Sequence, residues 1–395
     1  MDRRKFIKDS ALASSLFFVP SFVKAFESVA TEKLGYRRLV IVQLAGGNDG
    51  LNTIIPHNND VYYNARPRLA ITKDIIRLND NLGFHPSLAP LRSLFDNGEL
   101  SIINNVGYPN PVRSHFRSMD IWQTASDSDE YLQSGWLGRY LDAHGQKPYN
   151  AIEMDEQLSL AMKGEHFNGI ATNNYKALYK TAKDPFFKSV LNHYNDTHLS
   201  EHNLGYLYQT MIEAKSSAKY IYEKTKVKLS QQDYPQNNFA KQLKNVAQFV
   251  HSDLDTKVFY TSLGGFDTHA NQQNKQSRLL EQYAESISAF VKDLKRNETF
   301  EDTLILTFSE FGRRVKQNAA NGTDHGAANN VFIIGKNLKT AGFYNNLASL
   351  TDLDTNGDLK YEIDFRSVYA TILSKWMNVS TKGIINSKQE VLHFI

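Results

Sequence analysis

Arg38-Leu39-Val40-Ile41-Val42-Gln43-Leu44 runs directly into Ala45-Gly46-Gly47-Asn48-Asp49-Gly50. A short, continuous apolar run rich in β-branched residues that stops at Gly and Asp reads as a strand buried on both faces, with a loop at its carboxyl end. Four further runs, at 99–106, 257–263, 302–308 and 330–335, have the same form. The run at 257–263 ends in Gly264-Gly265-Phe266-Asp267, and the run at 302–308 ends in Ser309-Glu310. Between these two, Leu280, Tyr283, Ile287, Phe290, Val291 and Leu294 recur at spacings of three and four, which predicts an amphipathic helix over 279–294. Residues 239–250 behave in the same way. Strands alternating with helices predict an α/β layered domain with a mostly parallel sheet. In such sheets the ligand site gathers beyond the carboxyl ends of the strands. Residues 150–235 differ: they are rich in Asn, Lys and Tyr, carry a helical pattern over 200–227, and read as an inserted helical subdomain or cap.

The remaining composition narrows the class. Of 395 residues, 41% are apolar and 22% charged, with 23 Phe and 20 Tyr. This is ample material for a large core and excludes disorder, collagen and coiled coil. There is no cysteine, so disulfides, thiolate metal sites and a cysteine nucleophile are excluded, and any metal must be held by His, Asp or Glu. The net charge is +3, and all of it belongs to residues 1–25, where Arg3, Arg4, Lys5, Lys8 and Lys24 outnumber Asp2 and Asp9. A body without net charge gives no electrostatic case for nucleic-acid binding.

That first segment reads as an address. Arg3-Arg4-Lys5-Phe6-Ile7-Lys8 is close to the twin-arginine pattern, and residues 11–23 are a weakly apolar stretch interrupted by Ser14, Ser15 and Pro20. It is shorter than the roughly 20 apolar residues of a membrane span. The expectation is a signal segment over 1–30, recognised by the twin-arginine translocase, a folded domain over 36–395 delivered to the periplasm or cell surface, and no integral membrane span.

Asp49, Asp267 and Glu310 follow three strand runs, and His269 and Asp324-His325 lie close to two of them. Clusters of Asp, Glu and His on converging loops are what a divalent metal site needs in a chain without cysteine. Two such ions about 4 Å apart activate a nucleophile and steady the leaving oxygen in phosphoryl or sulfuryl transfer. Each aspartate considered alone fits a helix cap or a turn equally well. Ser114-His115 follows Pro109-Asn110-Pro111 and opens a helical pattern through Trp122. A hydroxyl there meets unpaired backbone N–H groups that favour an anion, which suits a nucleophile as well as a simple N-cap. Arg113, Arg117 and Arg313 can grip anionic oxygens with forked geometry, and Asn48 joins them as a substrate-binding candidate.

Five ordered motifs, Gly-Gly-Asn-Asp-Gly at 46–50, Arg-Ser-His-Phe at 113–116, Gly-Gly-Phe-Asp-Thr-His at 264–269, Ser-Glu-Phe-Gly-Arg at 309–313 and Thr-Asp-His-Gly at 323–326, resemble a bacterial exported family known as domain of unknown function 1501. The resemblance spans about residues 36–390. It implies kinship with the alkaline phosphatase and sulfatase superfamily: a three-layer α/β sandwich that uses two metal ions and a Ser, Thr or formylglycine nucleophile. Carried over by motif, Asp49, Asp267, His269, Glu310 and His325 resemble the metal ligands, with Asp324 beside His325 a metal candidate on position alone, and Ser114 resembles the nucleophile. Glu310-Phe311 stands where that superfamily has Asp followed by His or Asn, and Asp267 and His269 are two rather than four residues apart. His115, a catalytic candidate together with Ser114, is then also the candidate for the missing ligand. No formylglycine signature accompanies Ser114, which disfavours ordinary sulfatase chemistry.

The expected function is an exported metal-dependent hydrolase of phosphate or sulfate esters, with one or two zinc, manganese, calcium or magnesium ions and an anionic ester or envelope component as substrate. The alternatives are a binding or assembly protein that keeps the fold and works with a partner protein at the envelope, and a transferase of a phosphate-bearing group.

Overall fold

The computed structural model describes residues 37–145, 147–185, 203–226, 230–385 and 389–395. The expected signal segment, with Arg3 and Arg4, lies outside them. Residues Arg38–Ile395 form one compact unit.

Among the described residues the strands are, in chain order, β1 (Arg38–Ala45), β2 (Ile54–Ile55), β3 (Ile76–Arg77), β4 (Gly83–Phe84), β5 (Leu100–Gly107), β6 (Ala151–Glu153), β7 (Ile170–Ala171), β8 (Val258–Gly264), β9 (Thr303–Phe308), β10 (Asn329–Ile334), β11 (Gly342–Phe343) and β12 (Ile363–Asp364). The main sheet has the order β11-β5-β10-β9-β1-β8-β6-β7, with β12 also paired to β5, while β2, β4 and β3 form a small separate sheet. β1 is central and parallel to both neighbours, with Ile41 opposite Tyr260 on one side and Leu306 on the other.

Alternate side chains of the central strands enter different cores, as a period of two requires. Val40, Val42, Leu44, Phe259 and Ile305 pack with Leu243 and Phe249 of helix Asn238–His251 and with Leu280, Ile287 and Phe290 of helix Gln272–Arg296. Leu39, Ile41, Tyr260, Leu304, Leu306 and Phe308 face the other way, onto Ile121 and Trp122 of helix His115–Thr124 and Phe365 and Tyr369 of helix Phe365–Thr371. The architecture is the expected three-layer α/β arrangement with a mostly parallel sheet. Truncating one of these residues, as in Ile41→Ala, costs about 2–5 kcal/mol through lost burial and the cavity left behind.

One strand breaks the parallel pattern. β10 is antiparallel to both β5 and β9. Residues 309–328 form no crossover helix but a long loop, and a chain that returns without such a crossover pairs antiparallel. Because β10 is reversed against both neighbours, β1, β5, β8 and β9 still run the same way. Their carboxyl ends share an edge with the start of β10.

The segment 151–225 supplies β6 and the edge strand β7, then helix Tyr175–Ala182 and helix Asn203–Thr225. The last of these falls within the helix expected over 200–227. Helix His115–Thr124 is fixed against the sheet by Trp122, whose ring stacks on Phe308 at 4.7 Å and on Phe365 at 4.3 Å.

Candidate metal centre

The loops leaving β5, β8 and β9 converge at the shared edge. Tight backbone approach makes this possible at two glycines. Gly46 has φ +116°, and a Cβ there would sit 2.4 Å from the Asp267 amide nitrogen. Gly47 has φ +70°, and its Cβ would sit 2.2 Å from the Phe311 ring. Both positions combine a left-handed backbone with no room for a side chain. The Gly46 N–H then donates to Glu310 Oε1 at 2.8 Å, tying the loop after β1 to the loop after β9.

Asp267 lies at the middle of the convergence. Its Oδ1 is 3.2 Å from His269 Nε2, 3.5 Å from His115 Nε2 and 3.5 Å from His325 Nε2. It also accepts a hydrogen bond from Arg313 Nη2 at 2.8 Å. Burial raises the Asp267 pKa, but the hydrogen bond and charge of Arg313 outweigh it and hold the carboxyl down at about 2. The group is therefore a carboxylate at neutral pH.

Each imidazole is oriented by its other nitrogen. His115 Nδ1 is 2.9 Å from Glu310 Oε1, His269 Nδ1 is 3.1 Å from Asp324 Oδ1, and His325 Nδ1 is 2.7 Å from the Arg113 carbonyl oxygen. Carbonyl and carboxylate oxygens accept, so all three Nδ1 atoms donate, and a neutral ring then carries its lone pair on Nε2, toward the centre. This is the usual outer arrangement of metal-binding histidines. The hydrogen bond to Glu310 raises the His115 pKa, whereas burial lowers that of His325. Phe311 lies against both, its ring centroid 4.9 Å from His115 and 4.6 Å from His325. It closes the floor where a metal-binding residue was expected.

The donor set fits a divalent ion. His115, Asp267 and His325 offer ligand atoms that all lie within 4.8 Å of one another, and His269 adds a fourth donor beside two of them. Tetrahedral ligands about 2.1 Å from a zinc ion stand about 3.4 Å apart, close to the three Asp267–His separations. His115 Nε2 is enclosed and makes no hydrogen bond. An enclosed lone pair without a donor is costly unless a cation or proton meets it. Three imidazoles and one carboxylate suit zinc or another borderline ion better than calcium or magnesium, which prefer oxygen ligands.

Several sequence candidates lie elsewhere. Asp49 is fully buried and gripped by Arg66, with Nη1 to Oδ2 at 2.6 Å and Nη2 to Oδ1 at 3.0 Å, so it does not join the cluster. Glu310 and Asp324 orient histidines rather than standing among the converging ligand atoms. Arg313 is buried and donates to the carbonyls of Gly46, Gly47, Phe266 and Thr323 besides Asp267. Arg113 turns away to Asp358, with Nε at 2.8 Å. Arg117 donates to the carbonyls of Asp127, Ser128 and Glu130 and covers the Tyr131 ring at 3.8 Å. Asn48 is buried and bonds Thr53 and Ser309. Ser114 is the exposed N-cap residue of helix His115–Thr124, and its side chain makes no capping hydrogen bond. Arg66 and Gln272, which donates to Asp49 Oδ2 at 2.5 Å, carried no sequence signal.

A single family profile matches residues 36–385 of the chain. The chain belongs to DUF1501, described as a protein of unknown function. It is the family that the five motifs resemble. No curated protein matches this DUF1501 chain. Among solved structures it is similar to the lipoteichoic acid synthase LtaP from Listeria monocytogenes, at 10% identity and a TM-score of 0.42, over 90% of this chain and 78% of that one. It is also similar to the phosphonate monoester hydrolase SpPMH from Silicibacter pomeroyi, at 8% identity and a TM-score of 0.42, over 89% of this chain and 75% of that one. A protein in the alkaline phosphatase superfamily from Vibrio parahaemolyticus shares 12% identity at a TM-score of 0.39, over 90% of the DUF1501 chain and 69% of its own.

Proposed function

We propose that this protein is an exported metal-dependent hydrolase of phosphate or sulfate esters with a serine nucleophile. The observation that carries the reading is the convergence of three imidazole Nε2 atoms on one ionised carboxylate oxygen, at 3.2 to 3.5 Å, on the edge where an α/β sheet places its ligands. His115, Asp267, His269 and His325 would hold a divalent ion, which when bound would supply Lewis acidity toward an ester oxygen and a nearby hydroxyl.

The chain's own residues do the rest. Glu310, Asp324 and the Arg113 carbonyl fix the three ring tautomers. Ser114 stands immediately before His115, exposed and without a capping bond, at the end of a helix whose free N–H groups stabilise negative charge. In the first step the Ser114 Oγ–phosphorus or Oγ–sulfur bond forms, the ester bond breaks, and the leaving alcohol keeps the electron pair and takes a proton. Water then hydrolyses the enzyme ester and restores the hydroxyl. Since Arg113, Arg117 and Arg313 are all committed to protein partners, anion binding falls to the helix terminus and the centre itself.

The twin-arginine pattern at Arg3-Arg4 motivates export to the periplasm or cell surface. No helix of the described residues is long and apolar enough to cross a membrane. The same commitment of the three arginines favours a second reading, a centre that binds an envelope component or partner protein without turnover. Metal analysis of the purified protein, together with a panel of phosphate monoesters, phosphate diesters and sulfate esters, separates the two. Metal with turnover supports the hydrolase, metal without turnover supports the binding protein, and absence of bound metal refutes the centre.

A further inference from the structure

The buried cations around the centre set how many ions it takes. Asp49 follows β1, and Asp267 follows the adjacent parallel strand β8, so the two carboxylates stand in equivalent places on neighbouring loops. Their surroundings differ. Asp267 is half-exposed and faces three imidazole nitrogens. Asp49 faces a guanidinium, and both partners of that pair have side chains with no solvent exposure.

All five N–H groups of Arg66 are used. Nε donates to the Val315 carbonyl at 2.8 Å, Nη1 to Asp49 Oδ2 at 2.6 Å and Asn52 Oδ1 at 2.8 Å, and Nη2 to Asp49 Oδ1 at 3.0 Å and the Arg314 carbonyl at 2.8 Å. A guanidinium remains charged at any accessible pH and matches a carboxylate bidentately. The remaining approach to Asp49 Oδ2 is taken by Gln272 Nε2, whose own Oε1 accepts from Thr268 and Thr323 on either flank of the metal cluster. A divalent ion at Asp49 would have to displace a fully satisfied arginine into a dry interior, leaving its positive charge unpaired.

Resting on the proposed metal centre, we infer that the site takes a single divalent ion, and that Arg66 serves as a permanent internal cation that reserves Asp49. Arg66 is a positioning residue. It holds the Asp49 loop and, through Gln272, the Thr268 and Thr323 segments that carry Asp267, His269 and His325.

The test is metal stoichiometry of the full-length chain, purified, saturated with manganese or zinc and freed of excess ion. One ion per chain is expected, with the manganese form giving the six-line resonance of an isolated ion. Two ions per chain, or the coupled spectrum of a close manganese pair, overturns the single-ion inference while leaving the metal centre standing. No ion overturns both. Two variants read the same point independently. Asp267→Asn is expected to weaken ion binding at least tenfold, and Asp49→Asn to keep a stoichiometry of one ion per chain at saturation. A fall in stoichiometry from two to one in Asp49→Asn is the opposing result. If Asp49→Asn does not fold, the parent's stoichiometry and spectrum decide alone.

Discussion

His269 and His325 meet nitrogen to nitrogen, Nε2 to Nε2, at 2.9 Å. Each ring donates its Nδ1 proton elsewhere, so two neutral rings would bring lone pair against lone pair. Only a proton or a cation between or beside them relieves that contact, and His115 Nε2 faces the same centre with no donor.

Chelation is therefore expected to lower the melting temperature, and zinc or manganese to restore it. An ion present at a hundred times its dissociation constant stabilises a state that alone binds it by about 2.7 kcal/mol. Calorimetry on the chelated and reloaded protein checks this, and identical melting curves refute the centre. Acidification should release the ion as the imidazoles protonate.

Ser114→Ala is expected to abolish ester turnover while leaving metal content unchanged. Because the Ser114 hydroxyl caps no backbone N–H, the loss of stability should fall below the roughly 1 kcal/mol typical of a lost N-cap. Retained turnover in the variant rules out the serine as nucleophile.

Arg66→Ala leaves the buried Asp49 carboxylate uncompensated and should destabilise the fold by about 3–5 kcal/mol. The double variant Arg66→Met with Asp49→Leu removes both charges and should recover most of that loss. Denaturant unfolding of the single and double variants measures it, and a loss below 1 kcal/mol in the single variant contradicts a tight pair.

Glu153 supplies a pH signature away from the centre. Burial raises its pKa from 4.5 to about 7, even though the Ser159 N–H donates to it at 2.8 Å. Its folded pKa lies above the unfolded value, so the folded state holds the extra proton between the two. This contribution is fully favourable below about pH 4.5 and is lost as pH rises through about 7. The change amounts to roughly 3 kcal/mol. Glu153→Gln should therefore gain stability relative to the parent as pH rises from 5 to 8. A difference between the two proteins that does not vary with pH refutes the buried, protonated carboxyl.

Replacing Arg3 and Arg4 by Lys should retain the protein in the cytoplasm, since a receptor reads the pair. Fractionation with an immunoblot checks this, and unchanged export sinks the twin-arginine reading.

Much of the scaffold was legible because it depends on local periodicity. The five apolar runs became β1, β5, β8, β9 and β10 with ends shifted by a residue or so. The helix expected over 279–294 extends to Gln272–Arg296 because its first turns bury Gln272 and Gln276 against the Asp49 loop, a polar face that hydrophobic spacing cannot register. The two-residue strands β2, β3, β4, β7, β11 and β12 are too short to show a period.

In the centre, the motifs located His115, Asp267, His269, Asp324 and His325 on one edge. They could not separate Asp49 from Asp267, since both follow a strand and a pair of glycines. The partner decides, and Arg66 lies in Asn64-Ala65-Arg66-Pro67, a stretch with no feature that marks a buried ion pair. The protein partners of Arg113 and Arg313 were hidden for the same reason. A guanidinium's long-range partner is a property of the fold and not of the adjacent sequence.

The candidate ligands come from positions 115, 267 and 325, far apart in a chain that has no cysteine. An ion bound there would act as a removable cross-link, joining distant loops at one point. Because the folded state alone binds the ion, the tie stabilises the native loops by mass action and is lost when they open. Stripping the ion would then expose the segments around 115 and 309–328 to proteases before the sheet itself opens.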